Sequence, residues 1–138
     1  MQKLIAAMLM AVAMSHRSDP VLVKAVPNGD TIAVAPFGTV TLLGIDARAA
    51  DARDRLASLV LSRWVRLEFD DDPRSHAGRR RAYVFTDLNE FVNATLVREG
   101  LARVARGQFA RRAELERAEA EARALRRGIW ARYTRVRP

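Results

Sequence analysis

Two aspartates carry the most chemically suggestive spacing in the chain. Residues 28–46 read NGDTIAVAPFGTVTLLGID, with Asp30 near one end and Asp46 at the other. TIAV alternates polar and apolar, Pro36-Phe37-Gly38 supplies a turn, and residues 39–45 resume a strand. A hairpin folded about Phe37 sets Asp30 opposite Gly44 and brings Asp46 beside it. Paired carboxylates suit a hard cation such as calcium, which takes only oxygen ligands. The same residues have a plainer use: Asp30 serving the Asn-Gly turn before it, Asp46 capping the helix after it. Spacing leaves both open. Asp70-Asp71-Asp72 is read as a solvated turn, because Pro73 follows and no calcium-loop glycine or terminal glutamate stands at the right offset.

Other chemistries are poorly supplied. The 138 residues contain no cysteine, which excludes disulfides, thiolate zinc sites and a cysteine nucleophile. Two histidines, His16 and His76, leave little for a histidine metal cluster or a Ser-His-Asp triad. His16 is expected outside the folded domain and His76 in a polar loop. The formal charge is +8, with 22 arginines against 2 lysines. That excess favours polyanions such as nucleic acid or an anionic membrane surface.

The elements that must hold these residues can be traced in order. Residues 1–15 pair a basic start with the apolar run LIAAMLMAVAM, short for a bilayer span. They read as a secretory signal peptide or an N-terminal anchor, and imply a periplasmic or secreted protein. A single domain is expected over 20–131, with a basic tail at 132–138. Residues 20–26 form a β-branched strand before the hairpin. From Ala49 the period becomes helical, with Ala52, Leu56, Leu59 and Val60 on one face. Residues 64–69 and 79–85 alternate as strands, Arg79, Arg81, Tyr83 and Phe85 sharing one face of the second. Val92, Leu96 and Val97 mark a short helix closed by Gly100. A link over 101–104 leads to a helix over 110–127 whose stripe is Leu115, Ala118, Ala122, Leu125 and Ile129. Five short strands with three helices make an α+β, mainly β fold: a five-stranded Greek-key barrel of the oligonucleotide-binding (OB) type.

Across about residues 21–130 the chain resembles the staphylococcal nuclease (thermonuclease) family. NGDTI with LLGID is similar to the family's DGDT…RLLGID, and GRRRAYV to its YGRxLAYV. LVREGLARVA is close to LVxxGLAxVA, and AEAEARALRRGIW to AExxAR…GIW. The resemblance implies a calcium-dependent phosphodiesterase acting on DNA and RNA. Two aspartates would hold the ion, a glutamate would prime the attacking water, and two arginines would bind phosphate. Carried over singly, the metal aspartates are Asp30 and Asp46, and Arg79 is the arginine of the YGR motif.

The remaining positions depart from the pattern. The family's other arginine falls on Thr41, its catalytic glutamate falls on Ala49, and the connection leading into the first helix is shorter than usual. Tyrosines expected after GLAxVA correspond to Arg106 and Gln108. Losing one charge-stabilising donor costs roughly 10²–10³ in rate, and losing a general acid–base group roughly 10²–10⁴. The expectation is therefore a nucleic-acid-binding module with little or no phosphodiester hydrolysis. Arg79, Arg81 and Arg106 are its phosphate-binding candidates, joined by Arg80 and Arg103 near the groove; Tyr83 and Phe109 are the stacking candidates. Calcium binding is expected to be weak, millimolar at best. Two alternatives stand beside this. One is an active calcium-dependent nuclease in which Asp51 or Asp54 replaces the glutamate and Arg48 the arginine; the other is an exported protein-interaction domain.

Overall fold

The structure, a computed structural model, describes residues 16–70 and 80–134. Alternation of apolar side chains builds the first layer. Strands β2 (Val21–Asn28), β3 (Thr31–Ala35) and β4 (Gly38–Leu42) turn Val21, Val23, Ile32, Val34, Val40 and Leu42 inward. Strands β6 (Trp64–Phe69) and β7 (Arg80–Thr86) add Val65, Leu67, Ala82 and Val84 to the same core. The order β6-β2-β3-β4-β7 closes on itself through a β6–β7 ladder, with β4 and β7 parallel and the other pairs antiparallel. Closure removes the sheet edges. With three helices packed around it, this is the five-stranded OB-type barrel expected from the sequence.

Two differences from that expectation bear on the site. The hairpin pairs Thr31 with Thr41 and Val34 with Gly38, so it folds about Pro36 rather than Phe37. Asp30 therefore faces Leu42, whose amide donates to the Asp30 carbonyl at 2.7 Å, and not Gly44. The second difference is β1 (His16–Arg17), which pairs with the far end of β6, His16 opposite Phe69, although His16 was expected outside the folded unit. Arg17 explains the docking. Its guanidinium donates to Glu68 (3.3 Å) and Asn89 (3.0 Å) and lies 4.0 Å from the centre of the Phe85 ring.

Helix α1 (Ala50–Val60) buries Ala52, Leu56, Leu59 and Val60, the stripe its period predicts. Helix α2 (Val92–Arg98) places Asn93 in the core. Its side chain accepts from the Val84 amide (2.9 Å) and donates to the Leu43 carbonyl (2.8 Å), tying β7 to the end of β4. A short ladder joins β5 (Ile45–Asp46) to β8 (Arg103–Val104). Helix α3 (Arg112–Ala124) buries Leu115, Ala118 and Ala122. Leu125 is 56 % exposed instead of extending that stripe, because α3 ends before it and Arg126 turns left-handed (φ 57°). A 3-10 turn, Gly128–Thr134, follows and takes in the first residues of the expected tail.

Glycines let two backbones meet. A Cβ on Gly100 would stand 2.1 Å from the Arg127 carbonyl oxygen, and one on Gly128 would stand 2.2 Å from the Gly100 oxygen. The Ile129 amide donates to that same oxygen at 2.9 Å. The chain between residues 100 and 128 thus leaves and returns at one point.

Docking of α3 on the barrel runs through a buried carboxylate. Glu68 accepts both Nε and Nη2 of Arg111, the latter at 2.9 Å, along with the Arg17 contact. These bonds hold Arg111 even more firmly protonated than an ordinary arginine. The Arg111 amide donates to the Tyr83 hydroxyl (3.0 Å), which donates in turn to Asp70 (3.1 Å). Burial pushes the Tyr83 phenol well above its usual range.

Candidate metal and phosphate site

Asp30 and Asp46 sit at one end of the barrel because a turn packs tightly there. Gly29 has no room for a side chain: a Cβ would lie 2.8 Å from Ala52 Cβ and 2.9 Å from the Ala47 carbonyl. The turn carrying Asp30 therefore rests on the residue after Asp46. Neither aspartate has its plainer use. The Asp30 amide donates to Asn28 Oδ1 (3.1 Å), so Asn28 serves the turn, and α1 has no side-chain cap. The Asp30 carboxylate accepts only from the neighbouring Thr31 hydroxyl among the described residues, at 3.2 Å.

Asp46 is held differently. The β5–β8 register places Arg103 opposite it, and its Oδ1 accepts from Arg48 Nε at 3.1 Å. Arg48, one candidate for the missing arginine, is thereby drawn onto a candidate metal aspartate. The pair is solvent-facing, so its own contribution to stability is small, about 1 kcal/mol or less. A cavity of about 730 Å³ opens beside it, its lining including Asp46, Arg48, Ala49, Asp51, Gly100 and Arg103. Asp51 thus shares a space with Asp46, whereas Asp54 bonds Arg53 at 3.3 Å.

The donor set fits a hard cation in kind but not in number. Calcium takes six to eight oxygens, and no group of three or more His, Asp or Glu that could hold a metal occurs among the described residues. Two carboxylates, one already shared with a guanidinium, fall short of that number.

On the phosphate side, Arg79 lies outside the described residues, as do His76 and two of the three consecutive aspartates, Asp71 and Asp72. Arg81 is exposed and stands opposite Thr41 across the parallel β4–β7 ladder. Arg80 reaches the hairpin tip, its guanidinium 4.5 Å from the Phe37 ring centre. Arg106 is exposed just beyond β8, while Arg103 lies over Trp130 at 5.0 Å.

The expected stacking residues are spoken for. Tyr83 is fully buried beneath Arg111, and Phe109 is half-buried against Gly44, where a Cβ would come within 2.8 Å of its ring. The aromatic that sequence reasoning passed over is Trp64, 57 % exposed at the start of β6. Its phase gave the clue: Val65 and Leu67 face inward, so Trp64 must face out.

Comparison with known proteins matches this sequence to a family. The sequence profile described as Staphylococcal nuclease homologue covers residues 39–132. A Staphylococcus intermedius protein named Thermonuclease is 32% identical over 135 residues, spanning 84% of this chain and 79% of that protein. A Staphylococcus hyicus protein of the same name is 29% identical over 121 residues, spanning 75% and 71%. The closed five-stranded barrel and these matches together place the chain in the staphylococcal nuclease homologue family.

Proposed function

We propose that this thermonuclease-like domain binds nucleic acid through a basic barrel face and hydrolyses phosphodiesters little or not at all. The observation carrying the reading is the state of Asp46. Its carboxylate is engaged by Arg48, and the neighbouring position that the family gives to a glutamate is Ala49. Without that glutamate, the position from which the family primes water carries only a methyl group. Binding asks for less, since phosphate contacts need only positive charge. Arg81 supports it: the arginine absent at Thr41 has a counterpart one strand away, across the ladder. Arg79, Arg81 and Arg106 form the phosphate-binding set, with Arg79 retaining a residual catalytic position. Asp30 and Asp46 would hold calcium weakly, and a bound ion would supply charge stabilisation for a phosphate. Export through residues 1–15, with a periplasmic or secreted destination, belongs to the same reading; no described helix is long and apolar enough to cross a membrane.

One observation favours an active nuclease instead: Asp51 lines the same cavity as Asp46 and Arg48. Plasmid and single-strand assays with calcium and with chelator decide between the readings. The proposed function expects retention of single-stranded DNA at low salt, release as salt rises, and no appreciable cleavage. Brisk calcium-dependent cleavage that disappears in Asp46→Ala and Asp51→Asn would establish the alternative and end the first.

A further inference from the structure

The outer face of the β2–β6 ladder carries an aromatic bracketed by cations. Register pairs Leu22 with Trp64 and Val21 with Val65. Val21, Val23, Val65 and Leu67 point into the core, so Leu22, Lys24, Trp64 and Arg66 share the outward face. Lys24 and Arg66 each stand two residues from the central pair on their own strand, about 6–7 Å along it. They lie on opposite sides of that pair, because the strands run antiparallel. Arg63, exposed, adds a third cation next to Trp64.

Charge pairing separates this patch from most of the helical surface. On the helices most arginines are matched to acids, Arg98 to Glu121, Arg112 to Glu116 and Arg123 to Glu119 among them. Lys24, Arg63 and Arg66 form no ion pair among the described residues. Three unneutralised cations around an exposed indole present positive potential and a flat π-face together. A base can stack on that face while flanking phosphates meet the charges, and the combination tolerates any base. A lipid surface would need a broad apolar face to enter the acyl boundary. Here the apolar part of the ladder face is Trp64 and the half-buried Leu22, with charge immediately on both sides.

We infer that Trp64, with Lys24, Arg63 and Arg66, forms a stacking site for single-stranded nucleic acid on the outer β2–β6 face, separate from the aspartate end of the barrel. The site rests on the reading that this chain binds nucleic acid, but it uses none of the residues assigned there. It gives the barrel an exposed aromatic contact, where Tyr83 and Phe109 are buried or half-buried.

The test uses the full chain and a fluorescently labelled oligothymidylate, read by anisotropy and by intrinsic tryptophan emission. Trp130 is 7 % exposed, so quenching by the oligonucleotide should come from Trp64. Trp64→Ala should weaken binding about fivefold or more, the span of one stacked base, and remove the quenching. Trp64→Phe should keep most of the affinity. Lys24→Gln with Arg66→Gln should reduce the salt slope by about 1.4. Leu88→Ala, 87 % exposed and off the patch, should leave both readouts unchanged; circular dichroism melts confirm that each variant folds. If Trp64→Ala binds like the parent while Arg81→Ala and Arg106→Ala bind less, this site is refuted and the main reading stands. Loss with Trp64→Ala alone supports the site and removes the main reading's arginines. An absence of oligonucleotide binding at moderate and low salt refutes both. A Trp64 emission shift with phosphatidylserine–phosphatidylcholine vesicles, and none with oligothymidylate, would assign the patch to lipid and overturn the inference.

Discussion

Arg111→Ala should destabilise the fold severely, and its cost can be built from the contacts around Glu68. The Glu68 side chain is 4% exposed and takes two of its hydrogen bonds from Arg111. Breaking a buried pair by removing one partner costs about 3–5 kcal/mol, chiefly because the stranded charge stays desolvated. Two features lower that figure here. Arg17 remains on Glu68 at 3.3 Å, and Arg111, 26% exposed, was never fully desolvated. About 2–3 kcal/mol is therefore expected from the pair. Loss of the cation over Phe85 and Phe91, at 5.1 and 5.3 Å, adds about 0.5–1 kcal/mol. The total of about 3 kcal/mol should lower Tm by about 10 °C in a chain of this size. Urea unfolding followed by circular dichroism measures it, with m unchanged if only the native state is affected. Arg111→Lys, which keeps charge but loses the two-pronged fork, should fall between parent and alanine. A double-mutant cycle with Glu68→Gln should return a coupling above about 1 kcal/mol. A loss below about 1 kcal/mol for Arg111→Ala would refute the argument that α3 is held to the barrel through this carboxylate.

Three further outcomes follow from other contacts. Asn93→Leu leaves the Val84 amide and Leu43 carbonyl without their buried partner, and should cost about 2–4 kcal/mol by the same urea measurement. Glu99 is held below the usual carboxylate range by its two 2.8 Å bonds from Arg55. A lowered folded pKa means that this stabilisation is complete above the unfolded value, about 4.3, and disappears as pH falls through the folded one. The gap in stability between parent and Glu99→Gln, about 1 kcal/mol or less at pH 7, should therefore close in acid below about pH 4. Arg48→Ala frees Asp46 and should tighten calcium binding by up to about fivefold in calorimetry while the parent stays millimolar; no change would mean that the guanidinium does not compete for the carboxylate.

Local pattern made much of this fold legible. The inward stripe of α1, the phase of β6 and the closing glycine of α2 all follow from periods that a single chain segment displays. The errors came where two segments decide the matter. Hairpin register depended on whether Pro36 or Phe37 stands at the centre, and one position changes what faces Asp30. The pairing of His16 with Phe69 depends on Arg17 meeting a glutamate fifty-one residues away, which periodicity cannot show. At the site, residue types at positions 30, 41, 46 and 49 were readable directly. The engagement of Arg48 with Asp46 was not, because it is a choice among neighbours made in space. Trp64 was legible as part of a strand, but its use depends on which surrounding cations lack acids, a property of the folded surface.

The meeting of Gly100 and Gly128 has a practical consequence for engineering. Since that crossing fixes both ends of the intervening chain, its exposed bend at Gly107 and Gln108 can lengthen without shifting either anchor. Each doubling of a flexible bend costs only about 0.6 kcal/mol in closure entropy. A reporter or affinity tag spliced between those two residues would be carried like a pendant on a fastened loop, with the barrel undisturbed beneath it.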